Sequence, residues 1–164
     1  MKRIIAILLV AVFAAMLLTA CGSDPIYNNG SSTANEAATE ATVSVDINKY
    51  NKDFDGLQKY LQDLKLIDSA EDKRTELYAE VLGAEKGVRY TLNSSAFIEL
   101  YAYGTDRNEI AQKVFEEVKK DGTFEFASLD PLTGVISESG NFLAVYNAKI
   151  GYDYDKILTE FKKF

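Results

Sequence analysis

Apolar residues in the first part of the folded region recur at helical spacing. Between residues 47 and 64 they stand three or four positions apart, which predicts one amphipathic helix that begins after Asp46. A second helical stretch is predicted over residues 69–82, and Gly83 is well placed to end it. The folded region is therefore expected to open with two helices.

The hydrophobic period then changes from helical to alternating. Residues 88–92 and 97–103 alternate between two faces, with an Asn-Ser-Ser turn between them, and this predicts a β-hairpin. If residue 92 pairs with residue 96, Arg89 lies opposite Glu99 on the outer face. The same register turns two apolar pairs toward the core: Val88 with Leu100 and Tyr90 with Ile98.

After the hairpin the pattern predicts a helix, three short strands and a last helix. Asp106 and Glu109 resemble a capping box for a helix that Gly122 closes. Strands are predicted around residues 124–127, 135–138 and 142–148, and the final helix places on one side Tyr154, Ile157, Leu158 and Phe161. The predicted fold class is α+β, an antiparallel sheet of four to five strands with helices packed mainly on one face.

The N-terminal segment has the pattern of an export signal. Lys2 and Arg3 precede fifteen apolar residues, fewer than the roughly 20 that a transmembrane helix needs. The run ends in Leu-Thr-Ala followed by Cys21, and this segment resembles a bacterial lipoprotein signal, which lipoprotein signal peptidase cuts before the cysteine. The resemblance implies a diacylglycerol with palmitate-type chains on Cys21. The alternative is an ordinary secretory signal with Cys21 as a free thiol.

These patterns predict three parts of the chain. Residues 1–20 form a lipoprotein signal peptide, residues 21–42 hold the lipidated cysteine and a polar, flexible tether, and residues 43–164 form a single α+β domain. The whole chain resembles the small lipoproteins of Gram-positive-type bacteria, which combine these three parts and have no assigned activity. The turn from Leu82-Gly83-Ala84 to Gly87 and the strand over residues 97–103 carry the second half of that resemblance. It implies a protein anchored to the cell membrane at its extracytoplasmic face.

Composition narrows the chemistry of the domain. The 164 residues contain no His and one Cys, so His-dependent nucleophilic catalysis, His-based metal sites and an intrachain disulfide are excluded. The net charge of −7 becomes −9 without Lys2 and Arg3, and argues against nucleic acid as a partner. The run from Asn51 to Gly56 imitates the first half of a calcium loop, yet Gln62 stands where a bidentate Glu is required. We therefore predict a solvated helix face there, with no metal and no cofactor.

One strand of the hairpin carries the best candidate binding surface. Its outer face presents Phe97, Glu99, Tyr101 and Tyr103 beside Arg89, and aromatic rings next to charged groups can receive a protein, peptide or glycan ligand. On this interpretation Tyr101→Ala and Tyr103→Ala remove binding and leave the fold intact. The alternative is that the first helix or the lipid-proximal segment covers this face, in which case the rings are core residues.

Catalysis by carboxylates is the competing function. Glu99 is the best single candidate because it lies mid-strand among aromatic residues, but no motif places a second acid beside it. The neighbouring Arg89 favours the ionised form, as in a structural cross-strand pair. The sequence therefore favours a non-enzymatic binding or accessory module. The alternatives are a carboxylate-dependent glycan hydrolase and an inhibitor-like or envelope assembly protein.

Overall fold

One antiparallel sheet organises residues 44–127 and 130–164, which a computed structural model of the chain describes. Its strands are β1 (Arg74–Glu76), β2 (Lys86–Thr91), β3 (Phe97–Ala102), β4 (Thr123–Phe124), β5 (Leu132–Ile136) and β6 (Phe142–Tyr146), in the spatial order β1-β2-β3-β6-β5-β4. The predicted α+β class with an antiparallel sheet is confirmed, while the strand count is six and not four to five. The predicted signal peptide, Cys21 and the tether lie outside the described residues.

The central hairpin has the predicted register. Arg89 is directly opposite Glu99, and the apolar pairs Val88–Leu100 and Tyr90–Ile98 are aligned as expected. The tight turn closes with a hydrogen bond from the Leu92 amide to the Ala96 carbonyl, 2.8 Å long. Because side chains alternate along a strand, this register sends Glu99 and Arg89 to one face and the apolar pairs to the other.

Both faces of the sheet are covered by helices. On one face, α1 (Phe54–Asp63) and α3 (Asp155–Lys162) bury Leu57, Leu61 and Phe161 against the β2–β3–β6 strands. On the opposite face, α2 (Glu109–Asp121) packs against β4, β5 and β6. The predicted one-sided arrangement therefore describes two of the three helices, and α2 gives the second face a core of its own.

The first helix begins later than its apolar spacing predicts. Asp46 caps only a 3₁₀ turn at Ile47–Lys49, and α1 starts at Phe54, where the Asp53 carboxylate accepts a hydrogen bond from the Gly56 amide. The chain leaves the helical conformation at residues 50–53. The apolar residues before Phe54 therefore pack against the core without continuous helical hydrogen bonds. The prediction of one helix over residues 47–64 was wrong in its first two turns.

The second predicted helix is not formed. Residues 69–82 fold as a 3₁₀ turn, the edge strand β1 and a second 3₁₀ helix at Ala79–Leu82, and Tyr78 and Val81 are exposed. Gly83 does end this segment, in the left-handed conformation with φ 70°. Pairing of β1 with β2 adds an edge strand to the sheet, and this tertiary interaction overrides the helical spacing of the segment.

Smaller corrections concern the ends of the later elements. Asn108, and not Asp106, caps α2 by accepting a hydrogen bond from the Ala111 amide, while Gly122 closes this helix as predicted. Strand β4 spans two residues, and β5 begins at Leu132, three positions before the predicted start. The final helix buries its predicted side chains. Within the described ranges, no helix has both the length and the apolar character needed to cross a bilayer.

Candidate functional site

A groove opens on the α2 side of the sheet, at the end of the strands that α2 leaves uncovered. Its volume is about 580 Å³, within the roughly 300–1,000 Å³ typical of ligand sites. Its floor is formed by β2, β3 and β6, and its two walls are the Ala79–Leu82 helix and the residues around β5. The apolar residues among its lining include Leu77, Tyr78, Val81, Leu82, Phe97, Phe126, Pro131, Leu132 and Val145.

The groove exists because α2 covers only part of this face. Gly134 on β5 lies directly beneath the helix, and a Cβ atom there would stand 3.0 Å from a methyl carbon of Val118. The helix packs over Tyr103 and Leu143, and the Glu99 end of β3 is left uncovered. The uncovered end of the sheet is then the floor of the groove.

Three paired polar side chains lie on this floor. The Arg89 guanidinium donates to Oε1 of Glu99, with Nε at 2.9 Å, and the Tyr101 hydroxyl donates to Oε2 at 2.8 Å. Glu99 is 8% exposed, and both of its oxygens accept hydrogen bonds from these groups. Burial, followed by the Glu99 charge, raises the pKa of Tyr101 far above its ordinary value and keeps this hydroxyl a donor.

An aromatic contact fixes the position of the arginine. The guanidinium carbon of Arg89 lies 4.4 Å from the centre of the Phe97 ring, a cation–π contact at the groove. The Arg89 side chain remains 44% exposed, because Phe97 and Glu99 hold it from one side only. This residue therefore presents a guanidinium edge to the groove while its charge is matched from below.

A second charge pair lies among the residues that line the groove. The Lys149 ammonium lies 3.5 Å from the Asp130 carboxylate, and both side chains are strongly exposed. The neighbouring Asn147 side chain accepts a hydrogen bond from the Lys149 amide and shapes the turn that follows β6. An exposed pair of this kind contributes little to stability and is free to exchange partners.

Four of the five residues predicted for ligand binding line the groove: Arg89, Phe97, Glu99 and Tyr101. Tyr103 lies beneath α2, where its ring meets Phe115 edge to face at a centroid distance of 4.8 Å. Tyr101 and Tyr103 are each only 5% exposed, so the expectation that their truncation leaves the fold intact is corrected. The covering element is α2, and not the first helix.

The wall residues Tyr78, Val81, Phe126 and Leu132 do not follow from the sequence pattern. Tyr78 and Val81 fall within the stretch predicted as a buried helix face, and the structure instead turns them outward. No local signal identifies them, because Gly83 ends the segment at the predicted position whether the residues before it form a long helix or a strand and a short 3₁₀ helix.

The calcium-like run has a structural role. Asp53 is the N-cap of α1. Asp55 lies in the first helical turn, where its negative charge interacts favourably with the positive end of the helix dipole. Gly56 allows the Asn51 carbonyl to approach, since a Cβ atom there would stand 2.0 Å from that oxygen. Among residues 44–127 and 130–164, no three His, Cys, Asp or Glu side chains converge in a way that could hold a metal ion.

Fold and site together define an α+β domain with a ligand-sized groove on one face of its sheet. Comparison of the chain with family models, with curated proteins and with solved structures finds no match in any of the three. Its chemistry is therefore argued from the groove. An apolar trough over an internally paired Arg–Glu–Tyr floor can enclose a ligand and orient it beside the guanidinium.

Proposed function

We propose that this chain is a lipid-anchored extracytoplasmic lipoprotein whose domain binds a ligand in the groove without catalysing a reaction. The anchor is the diacylglycerol on Cys21, and residues 22–42 serve as the tether between membrane and domain. The net charge of −9 beyond the signal supports this arrangement, because a negatively charged domain stays off an anionic lipid surface.

The observation that carries the binding role is the groove itself. It encloses about 580 Å³ between apolar walls, and its polar groups converge on one side at Arg89 and Glu99. Sites that hold small molecules or short segments combine these two features, an apolar enclosure and a few oriented polar groups. The arginine is held by Glu99 and Phe97 before any ligand arrives, which lowers the entropic cost of binding.

Filling the groove is expected to abolish binding and leave the fold intact. Ala148 lines the groove and is exposed, so the indole of Ala148→Trp extends into the groove without displacing core atoms. The measurement is a thermal-shift screen of peptides and envelope glycan fragments on the chain from residue 21 onward, which contains the whole compact unit Glu40–Phe164. A ligand at about 100 times its Kd stabilises the native state by about 2.7 kcal/mol.

Ala70→Trp is the matched control, because Ala70 is equally exposed and lies outside the groove. We expect a ligand that raises the Tm of the wild-type chain and of Ala70→Trp and leaves that of Ala148→Trp unchanged. A ligand that stabilises all three chains equally binds elsewhere and contradicts the proposal. A panel in which no peptide or glycan raises the Tm contradicts it as well.

Hydrolysis by carboxylates is the second candidate, since Glu99 and Asp130 both line the groove. General acid catalysis requires a carboxyl group that can donate a proton to the leaving group, whereas both oxygens of Glu99 are occupied as acceptors by Arg89 and Tyr101. We therefore expect no release of reducing sugar from envelope glycan by either the wild-type chain or Glu99→Gln. Turnover by the wild type that Glu99→Gln loses at unchanged Tm would establish the hydrolase instead.

A further inference from the structure

The groove continues into an apolar rim that projects from the protein. In the part of the chain that the structure describes, the exposed large hydrophobic residues are Tyr78 at 87%, Ile110 at 50% and Val81 at 48%. Tyr78 and Val81 line the groove, but a ligand small enough to be enclosed leaves most of the Tyr78 ring in water. Exposed tyrosines beside an apolar groove are typical anchor points for another polypeptide.

Ile110 lies in the first turn of α2, which contacts the end of the groove wall at Gly83. Gly83, at the end of the Ala79–Leu82 helix, packs against the first turn of α2: a Cβ atom at this position would lie 2.3 Å from Oδ1 of Asn108 and 2.8 Å from the Ala111 amide. Gly83 thereby joins the wall of the groove to the start of the helix that carries Ile110. We define the rim as Tyr78, Val81 and Ile110.

Unpaired acids stand among the rim residues. Glu80 lies between Tyr78 and Val81 in the chain, and Glu109 precedes Ile110. Within residues 44–127 and 130–164, neither carboxylate is in an ion pair, whereas the charges inside the groove are matched as Arg89–Glu99 and Lys149–Asp130. The rim therefore has an excess of negative charge that a cationic partner would complement.

The polar floor favours a polypeptide over a glycan. Sugar recognition needs many free hydrogen-bonding groups. The floor offers the exposed edge of Arg89, but Oε1 of Glu99 is taken by Arg89 and Oε2 by the Tyr101 hydroxyl. The wall residues Leu77, Leu82 and Leu132 offer no such groups. An apolar side chain needs none, and its burial in the groove is favoured because apolar surface is removed from water.

From the apolar rim, its acids and the paired floor, we infer that the groove binds an exposed segment of another protein, one in which an aromatic or aliphatic anchor residue stands next to Lys or Arg. The anchor enters the groove, the flanking backbone crosses Tyr78 and Val81, and the cation meets Glu80. This inference rests on the proposed function of the groove as a ligand site and specifies the class of its ligand.

Selection from a random peptide library displayed on phage tests the inference. The target is the chain from residue 21 onward with Cys21→Ser, and the enriched peptides are synthesised and titrated by fluorescence anisotropy. We expect enriched sequences that pair an apolar or aromatic residue with Lys or Arg, and weaker binding at higher salt. Tyr78→Ser and Glu80→Lys are each expected to raise the Kd about tenfold, the equivalent of about 1.4 kcal/mol.

Each variant has a matched control. Tyr78→Phe retains the ring and is expected to keep the wild-type Kd, while Glu138→Lys makes the same charge change in the turn between β5 and β6, at the far end of the sheet from the groove. Because Tyr78 and Glu80 are exposed, neither substitution is expected to change the Tm. Equal losses with Glu80→Lys and Glu138→Lys reveal attraction to net charge alone and overturn the inference.

Two further outcomes separate the inference from the proposed function. If no peptide is enriched, or if the enriched peptides are acidic, while a glycan still stabilises the wild type and not Ala148→Trp, the groove remains a ligand site and the polypeptide inference is wrong. If enriched peptides bind Ala148→Trp and Tyr78→Ser as tightly as the wild type, the groove is not where they bind, and the polypeptide inference is wrong. The proposed function is contradicted as well only if no ligand in the thermal-shift screen distinguishes the wild type from Ala148→Trp.

Discussion

Tyr103→Ala is expected to lower the free energy of unfolding by about 3–5 kcal/mol, the range for truncation of a large aromatic side chain in a core. The ring is 5% exposed and packs edge to face on Phe115 beneath α2. Its removal leaves a cavity between α2 and the sheet that the backbone of β3, paired on both sides, cannot close. Urea denaturation of the chain from residue 21 onward, followed by circular dichroism, measures the loss.

Tyr103→Phe is the matched control and is expected to have the opposite sign. The Tyr103 hydroxyl is buried without a hydrogen-bond partner among the described residues, and burial raises the pKa of this group well above its ordinary value. Removing an unsatisfied hydroxyl relieves its desolvation, so we expect a gain of up to about 1 kcal/mol. A loss larger than about 1 kcal/mol in Tyr103→Phe, or a loss below about 1 kcal/mol in Tyr103→Ala, contradicts this account of the second core.

Tyr103 shows what the strand pattern could and could not predict, because its place on the outer face was expected and its burial beneath α2 was not. The hairpin register follows from alternation and turn length, so the Arg89–Glu99 pair was predictable to the residue. The covering of the outer face was not, because it depends on where α2 returns over the sheet. The near-continuous apolar run of β3 was the available signal, since strands buried on both faces lose their polar alternation.

The prediction of a helix over residues 69–82 failed for a different physical reason. Periodicity at residues 69–82 predicts an amphipathic helix, yet a three-residue segment of it pairs with β2, and only Ala79 and Leu82 of its apolar set near the end are fully buried. Pairing at a sheet edge is a tertiary interaction that local spacing does not encode. Because this segment folds as a strand and a 3₁₀ helix, Tyr78 and Val81 are exposed. The helix prediction therefore missed the strand, this wall of the groove and the rim.

The groove unites residues that are distant in the chain, which is why only its floor was predictable. The floor comes from one hairpin, whose geometry is local, while the walls come from the Ala79–Leu82 helix, β5 and the turn after β6. Lys149 and Asp130 meet across two of these segments. Such meetings depend on strand order, and the crossover that places β6 beside β3 follows from no local pattern.

Cys21→Ser is expected to remove all lipid from the protein. Under the proposed function, the cysteine sulfur carries the diacylglycerol and also marks the site before which the signal is cut. Metabolic labelling with an alkyne analogue of palmitate in a bacterial host reads the first property, and the intact mass of the purified protein reads the second. We expect complete loss of label and accumulation of a chain that keeps residues 1–20.

A relocated cysteine provides the control for position. Cys21→Ser combined with Ser23→Cys retains one thiol but moves it away from the Leu-Thr-Ala run, so we expect no label on this variant. Label on the relocated thiol would indicate acylation of any accessible cysteine and contradict the lipoprotein signal. An unlabelled wild-type chain would contradict it directly.

Membrane fractionation alone cannot decide between the two kinds of signal, because the uncut precursor keeps its fifteen apolar residues and stays with the membrane. Measuring lipid attachment and signal cleavage together distinguishes a lipoprotein signal from an ordinary secretory signal. With an ordinary secretory signal, Cys21→Ser leaves cleavage unchanged and releases an unlabelled chain, as the wild type would. With a lipoprotein signal, the same substitution blocks both lipid attachment and signal cleavage. Stable anchoring needs two acyl chains, each of which contributes about 0.8 kcal/mol per buried methylene. Under the proposed function, the chain beyond the signal, with its net charge of −9, contributes no attraction of its own to an anionic bilayer, so the lipid on Cys21 is what holds the groove near the membrane.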